Sequence, residues 1–272
     1  MRKPVVAGQF YPENKGDLID EARKYLGKQK KEGVKACIVP HAGYLYSGKL
    51  AGQVLGRIEE KKTFIILGVN HSGFGSRISF SFEDFSTILG IVKNNKQLGE
   101  KILEKLKLLG YADVNENAHA GEHSIEVILP FLQLSQKQFD VVPIILKDMT
   151  DVACQRAAYI LSKFVDKDIC IIVSSDFTHY GLSYGFLPFA YNVKENLHSL
   201  DKGIIDSILA LDSKSVYEKA RKSTVCGIYG VTIVSELAKI LGWKAKLVDY
   251  YTSGDITGDY SNCVGYAGVV FS

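Results

Sequence analysis

Short, unbroken apolar runs alternate along this chain with longer segments of helical periodicity. Runs at 34–39, 63–69, 139–146 and 168–174 have strand length and no polar alternation, the pattern of strands buried on both faces. Apolar positions three and four residues apart predict helices over 16–27, 48–60, 96–109, 122–134 and 150–165. Two further runs, 77–82 and 87–93, read as strands that form an antiparallel pair. Beyond residue 190 the pattern predicts helices at 193–211, 213–222 and 227–241, then strands at 246–251 and 263–271. The βαβα order predicts an α/β fold with a mostly parallel or mixed central sheet covered by helices on both faces.

Three of the apolar runs end in a histidine: His41 follows ACIVP, His71 follows FIILGVN, and His179 follows CIIVSSDFT. If the runs are parallel strands, these imidazoles gather at one edge of one sheet, where ligands of open α/β folds bind. A strand-end histidine taken alone is equally a loop residue bonded to backbone. The loop PHAGYLYSG (40–48) and the loop GVNHSGFG (68–75) share their composition, however, and the first brings His41, Tyr44 and Tyr46 into one cleft.

In the third loop Asp176 lies three residues before His179, close enough to orient its ring; the alternative is that Asp176 caps the next helix. No G-x-S-x-G elbow accompanies the serines, which leaves a serine hydrolase without a nucleophile. Residues 119–123 match the H-x-x-E-H pattern of zinc peptidases, but Gly121 weakens a helix there. The reading preferred is a helix start at Glu122, with Glu122, His123 and Glu126 facing the cleft. Cys226 precedes Gly227 at the amino end of an apolar helix, where backbone N–H groups favour a thiolate; a buried structural cysteine is the other reading. A thiolate beside imidazoles makes a metal-ligand set.

Composition narrows the partners. The 272 residues are 46% hydrophobic with no linker-like or repeated segment, which predicts a single domain over 1–272. The net charge is only +3, and 27 lysines stand against 6 arginines, which argues against nucleic acid. No signal-like or membrane-spanning run is present, so the expectation is a cytoplasmic protein without a membrane partner. The five cysteines are odd in number and contain no C-x-x-C pair, which indicates neither a disulfide framework nor a zinc ribbon.

Six ordered blocks, FYP (10–12), PHAGYLYSG (40–48), GVNHSG (68–73), EHSIE (122–126), SSDFTHYG (174–181) and CGIYG (226–230), resemble the Memo family, named for mediating cell motility. That resemblance implies a fold similar to the class III extradiol ring-cleaving dioxygenases. It also implies one metal ion, iron or copper with zinc as a further option, held by His41, His71 and Cys226. His179 would then act as acid/base, with Asp176 in the surrounding pocket. The dioxygenases use a carboxylate where this pattern has a thiolate, which makes ring cleavage doubtful and leaves other redox chemistry on an unknown small molecule. The resemblance further implies two alternatives: a cleft that binds a peptide segment, including a phosphorylated one, and a component that works beside a radical-SAM protein.

Overall fold

The computed structural model describes residues 1–272. In chain order its strands are β1 Ala36–Val39, β2 Thr63–Val69, β3 Ile78–Phe80, β4 Phe85–Thr87, β5 Gly90–Asn94, β6 Ala112–Val114, β7 Asp140–Leu146, β8 Ile169–Ser174, β9 His179–Gly181, β10 Ala245–Thr252 and β11 Asn262–Phe271. The helices are α1 Lys15–Leu26, α2 Lys49–Leu55, α3 Lys96–Lys107, α4 Glu116–Ala120, α5 Leu129–Ser135, α6 Asp151–Leu161, α7 Val193–Leu209, α8 Ser213–Ala220, α9 Ile228–Ile240 and α10 Ser253–Thr257.

The main sheet runs β10-β11-β1-β8-β2-β7-β3-β6. Its centre, β1-β8-β2-β7, is parallel, as the buried apolar runs predict. The flanks are not: β11 is antiparallel to both β1 and β10, and β3 is antiparallel to β7, so the sheet is mixed. Side chains alternate between two apolar layers. Ile38, Leu67 and Val173 enter one with α3, α6 and α9, while Val39, Ile66 and Ile172 enter the other with α1, α2 and α5. Two covered faces are why these strands carry no polar alternation.

Helix starts follow local chemistry: Asn14, Asn95 and Thr150 each accept a hydrogen bond from a first-turn N–H of α1, α3 and α6. Gly52 of α2 lies so close to α1 that an added Cβ would sit 2.5 Å from the Tyr25 carbonyl carbon, so only glycine permits that packing.

Several expectations are corrected. The 77–82 run does not pair with 87–93: β3 joins β7 and β6, and the antiparallel hairpin is β4 with β5. The helix expected over 122–134 breaks up, with a short tight turn at Glu126–Ile128 and α5 beginning only at Leu129. Pro130 explains this, because a residue without N–H is accommodated in a first turn and not in a helix interior. The short elements β6, α4, β9 and α10 carry too few residues for a periodic signal. No helix is long and apolar enough to cross a membrane.

Candidate metal centre

Because β1, β2 and β8 are parallel, their carboxyl ends lie on one edge, and the residues just past them come together there. His41 follows β1, His71 follows β2, and Asp176 follows β8. Cys226 enters from the segment before α9. Donor atoms of His41, His71 and Cys226 all lie within 4.8 Å of one another.

Each histidine is oriented by the nitrogen that faces away. His41 is buried, and its Nδ1 lies 2.8 Å from Ser174 Oγ. Ser174 Oγ in turn donates to the Ser124 carbonyl at 2.6 Å. A carbonyl only accepts, so Nδ1 carries the proton toward Ser174 and the lone pair sits on Nε2. His71 Nδ1 faces both Glu122 oxygens at 3.0 and 3.1 Å, which again places the proton on Nδ1 and leaves Nε2 free. The loop carrying His71 is braced by Asn70, whose side chain accepts from Ser72 Oγ and Gly73 N and donates to the Phe74 carbonyl.

Cys226 Sγ lies 3.5 Å from His41 Nε2 and accepts from the Asp176 N–H at 3.2 Å. Two ligands on a tetrahedral ion, one imidazole nitrogen and one sulfur, stand about 3.6 Å apart given ordinary bond lengths. The donor set therefore suits a metal ion: two imidazole lone pairs and one sulfur within 4.8 Å of one another, with the His41–Cys226 pair at the separation a tetrahedral ion imposes.

The electrostatics agree with the hydrogen bonding. Burial, reinforced by the neighbouring His123 and His71, lowers the His41 pKa to about 4, so its imidazole is neutral. Burial, with Asp176 nearby, pushes the Cys226 thiol up instead of producing the free thiolate expected from its position before a helix. Burial opposes ionisation of Glu122, but hydrogen bonds from His71 and from the Ser124 N–H outweigh it and pull the pKa down to about 2. The same carboxylate overcomes the burial of His71 and raises its pKa. A cation bound through Cys226 would displace the thiol proton that burial holds in place.

His123 closes the cleft, stacked on His71 with ring centres 4.8 Å apart and edge-on to His41 at 5.4 Å. Its pKa is lowered, chiefly by burial. With Glu122 and His71 it forms a second set of donors within the same 4.8 Å limit. His179 stands apart from the three donors, on β9 against Tyr184, with ring centres 5.1 Å apart. Its Nδ1 faces the carbonyls of Phe177 and Thr224 at 2.9 and 3.0 Å, which fixes the proton on Nδ1 and leaves Nε2 as an acceptor.

Three pocket expectations are corrected. Asp176 does not hold the His179 ring: its Oδ1 accepts from the His41 N–H at 2.8 Å, and backbone carbonyls take its expected place. Tyr44 leaves the cleft for the core, stacking on Phe131 and donating to the Val127 carbonyl, because the chain makes a π-helical turn at Tyr44–Gly48. Glu126 is fully buried below the cleft, paired with Arg2 and accepting from Val5 N, Val6 N and Tyr11 Oη. Tyr46 stays at the surface, and its carbonyl accepts from Tyr251. Sequence reasoning missed Arg2, Ser124, Ser174 and Thr224. Ser174 was within reach of it, as a polar residue closing an apolar strand.

Beneath the His179 segment, buried Asp201 of α7 accepts from Thr178 and from Tyr250 Oη. Burial pushes its pKa up to about 6, against partial relief from those hydrogen bonds. A folded-state pKa raised above the unfolded one gives stability at low pH that is lost as pH rises through the folded value. Relative to an Asp201→Asn variant, the wild type should therefore lose roughly 2–3 kcal/mol between about pH 4 and pH 7, since each tenfold change in proton affinity is worth about 1.4 kcal/mol. Urea unfolding of both proteins across that range tests this, and a pH-independent difference between them would refute it.

Fold and donors together define the class: an α/β protein whose sheet edge presents two histidines and a cysteine as a potential metal-ligand set. The chain belongs to the Memo family, since the model of Memo-like proteins matches residues 2–270. It is 39% identical over 276 residues to a MEMO1 family protein of Archaeoglobus fulgidus, covering 100% of this chain and 99% of the relative. It is 38% identical over 279 residues to one from Aquifex aeolicus, again covering 100% and 99%. Among solved structures, an uncharacterized protein of Escherichia coli K12 superposes with a TM-score of 0.58 at 10% identity, covering 87% of this chain and 99% of that one. That likeness concerns the fold alone.

Proposed function

We propose that this chain is a cytoplasmic metal-binding protein that holds one iron or copper ion through His41, His71 and Cys226 and uses it for oxidoreductase-type chemistry on a small molecule or peptide segment. The observation that carries the reading is the 3.5 Å approach of His41 Nε2 to Cys226 Sγ, with His71 beside them and both rings held by their Nδ1 atoms. An ion held there would supply the capacity for one-electron change or for Lewis-acid polarisation. A thiolate with two imidazoles suits Cu(I), Zn(II) and Fe(II) better than the hard cations Mg(II) and Ca(II).

The chain's own residues contribute the rest. Ser174 and Glu122 present the two Nε2 lone pairs, and Asp176 donates its N–H to the sulfur. His179, with Nδ1 fixed as donor, takes up a proton at Nε2. Zinc at this site would leave Lewis-acid chemistry as the activity.

Metal-stripped protein titrated with Fe(II), Cu(I) or Zn(II) under anaerobic conditions should gain about 2.7 kcal/mol of unfolding free energy when the free ion reaches 100 times its Kd. Thermal unfolding, with elemental analysis of the untreated protein, checks this. Absence of any stabilisation by all three ions would overturn the metal reading and favour the same cleft as a peptide-binding site.

A further inference from the structure

We infer that Ser174 is a positioning residue that selects the metal-binding tautomer of His41, and that it does so through a relay linking the supports of both histidines. The inference rests on the metal reading above, and it concerns what holds the ligands in place. The relay begins at His41 Nδ1, 2.8 Å from Ser174 Oγ, and continues from Ser174 Oγ to the Ser124 carbonyl at 2.6 Å. From the same residue, the Ser124 N–H donates to Glu122 Oε1 at 2.8 Å, and Glu122 holds both the ring and the N–H of His71. Ser124 Oγ accepts from the Val69 N–H at 3.0 Å, which ties the relay to the end of β2. Ser124 and Ser174 are both fully buried, so solvent does not reach either hydroxyl.

The direction of each proton follows from the groups present. The Ser124 carbonyl has no hydrogen to give, and two bare oxygens at 2.6 Å would repel, so the Ser174 hydroxyl points at the carbonyl. Ser174 Oγ then meets His41 with a lone pair, and only the tautomer protonated on Nδ1 satisfies it. With Nδ1 protonated, Nε2 faces Cys226 Sγ as an acceptor, the form that binds a metal. Without the hydroxyl, only the weak contact of the Cys226 thiol with Nε2 is left to favour Nδ1–H over Nε2–H, and the second tautomer cannot ligate through Nε2. The space around the relay is equally specified: a Cβ on Gly68 would stand 2.6 Å from Ser124 Oγ.

Partners that fix ligand histidines typically carry 10–100-fold in metal affinity. A Ser174→Ala protein should bind Fe(II) or Zn(II) about 10–100-fold more weakly than wild type. In metal-free protein, long-range 15N–1H correlation spectra should show His41 as the Nδ1–H tautomer in the wild type and shifted toward Nε2–H in Ser174→Ala. Ser124→Ala is the control, because it removes a buried hydroxyl from the same place yet leaves the Ser124 carbonyl and the His41 tautomer intact. Nε2–H in the wild type, an unchanged tautomer in Ser174→Ala, or an equal change in Ser124→Ala would each overturn the inference. The spectra need no metal, so failure of the metal reading and failure of this inference give different results.

Discussion

Removing the Glu126 carboxylate, as in Glu126→Ala, is expected to lower the unfolding free energy by about 3–5 kcal/mol, measured by urea denaturation at neutral pH. The carboxylate is fully buried, and four groups converge on it: the Arg2 guanidinium, the N–H groups of Val5 and Val6, and the Tyr11 hydroxyl. Truncation leaves Arg2, itself 4% exposed, as a buried charge without its counterion, and that uncompensated charge dominates the cost. Arg2 also donates to the carbonyls of His119 and Glu122, so the loss reaches the loop that carries the support of His71. A change below about 1 kcal/mol, the range of exposed ion pairs, would mean that water reaches this pair.

The second large effect concerns the ion itself. Cys226→Ser should weaken Cu(I) binding by more than roughly 100-fold, since even partners outside the ligand set carry 10–100-fold. Fe(II) should suffer less, because a hydroxyl oxygen is a poor substitute for sulfur at a soft ion and a more tolerable one at a harder ion. Serine occupies nearly the same volume and still accepts from the Asp176 N–H, so the effect reports ligand chemistry and not collapse of the segment before α9. Competition titrations against chromophoric chelators measure both ions, and Cu(I) affinity equal to wild type would remove Cys226 from the ligand set.

The centre of the sheet and the donor cluster were legible because both rest on local signals that survive folding. A run such as FIILGV buried on both faces has no polar alternation, and a histidine just past it has only the sheet edge to occupy. What stayed hidden depends on partners distant in sequence. Glu126 looks like a cleft carboxylate until Arg2, 124 positions away, is seen to take it. Tyr44 sits in a glycine-rich loop that suggests exposure, yet the turn at 44–48 carries its ring inward onto Phe131. The 122–134 segment keeps helical periodicity, while hydrogen bonds of Glu122 and the ring of Pro130 withhold the helix until Leu129. The antiparallel flanks follow from long-range pairing of β11 and β3, which no local period encodes.

The position of β11 between β1 and β10 also sets an order of events during synthesis of the chain. β1, which delivers His41, has β8 on one side and β11 on the other, so its neighbours are incomplete until residue 271 has left the ribosome. The three candidate donor residues span positions 41 to 226, and no early fragment contains them all. A nascent chain that has not reached residue 226 therefore presents an incomplete donor set. Pairing across such separations is intrinsically slow. During that interval the open edge of β1 is exposed to other chains, and this is when the protein is most vulnerable to aggregation.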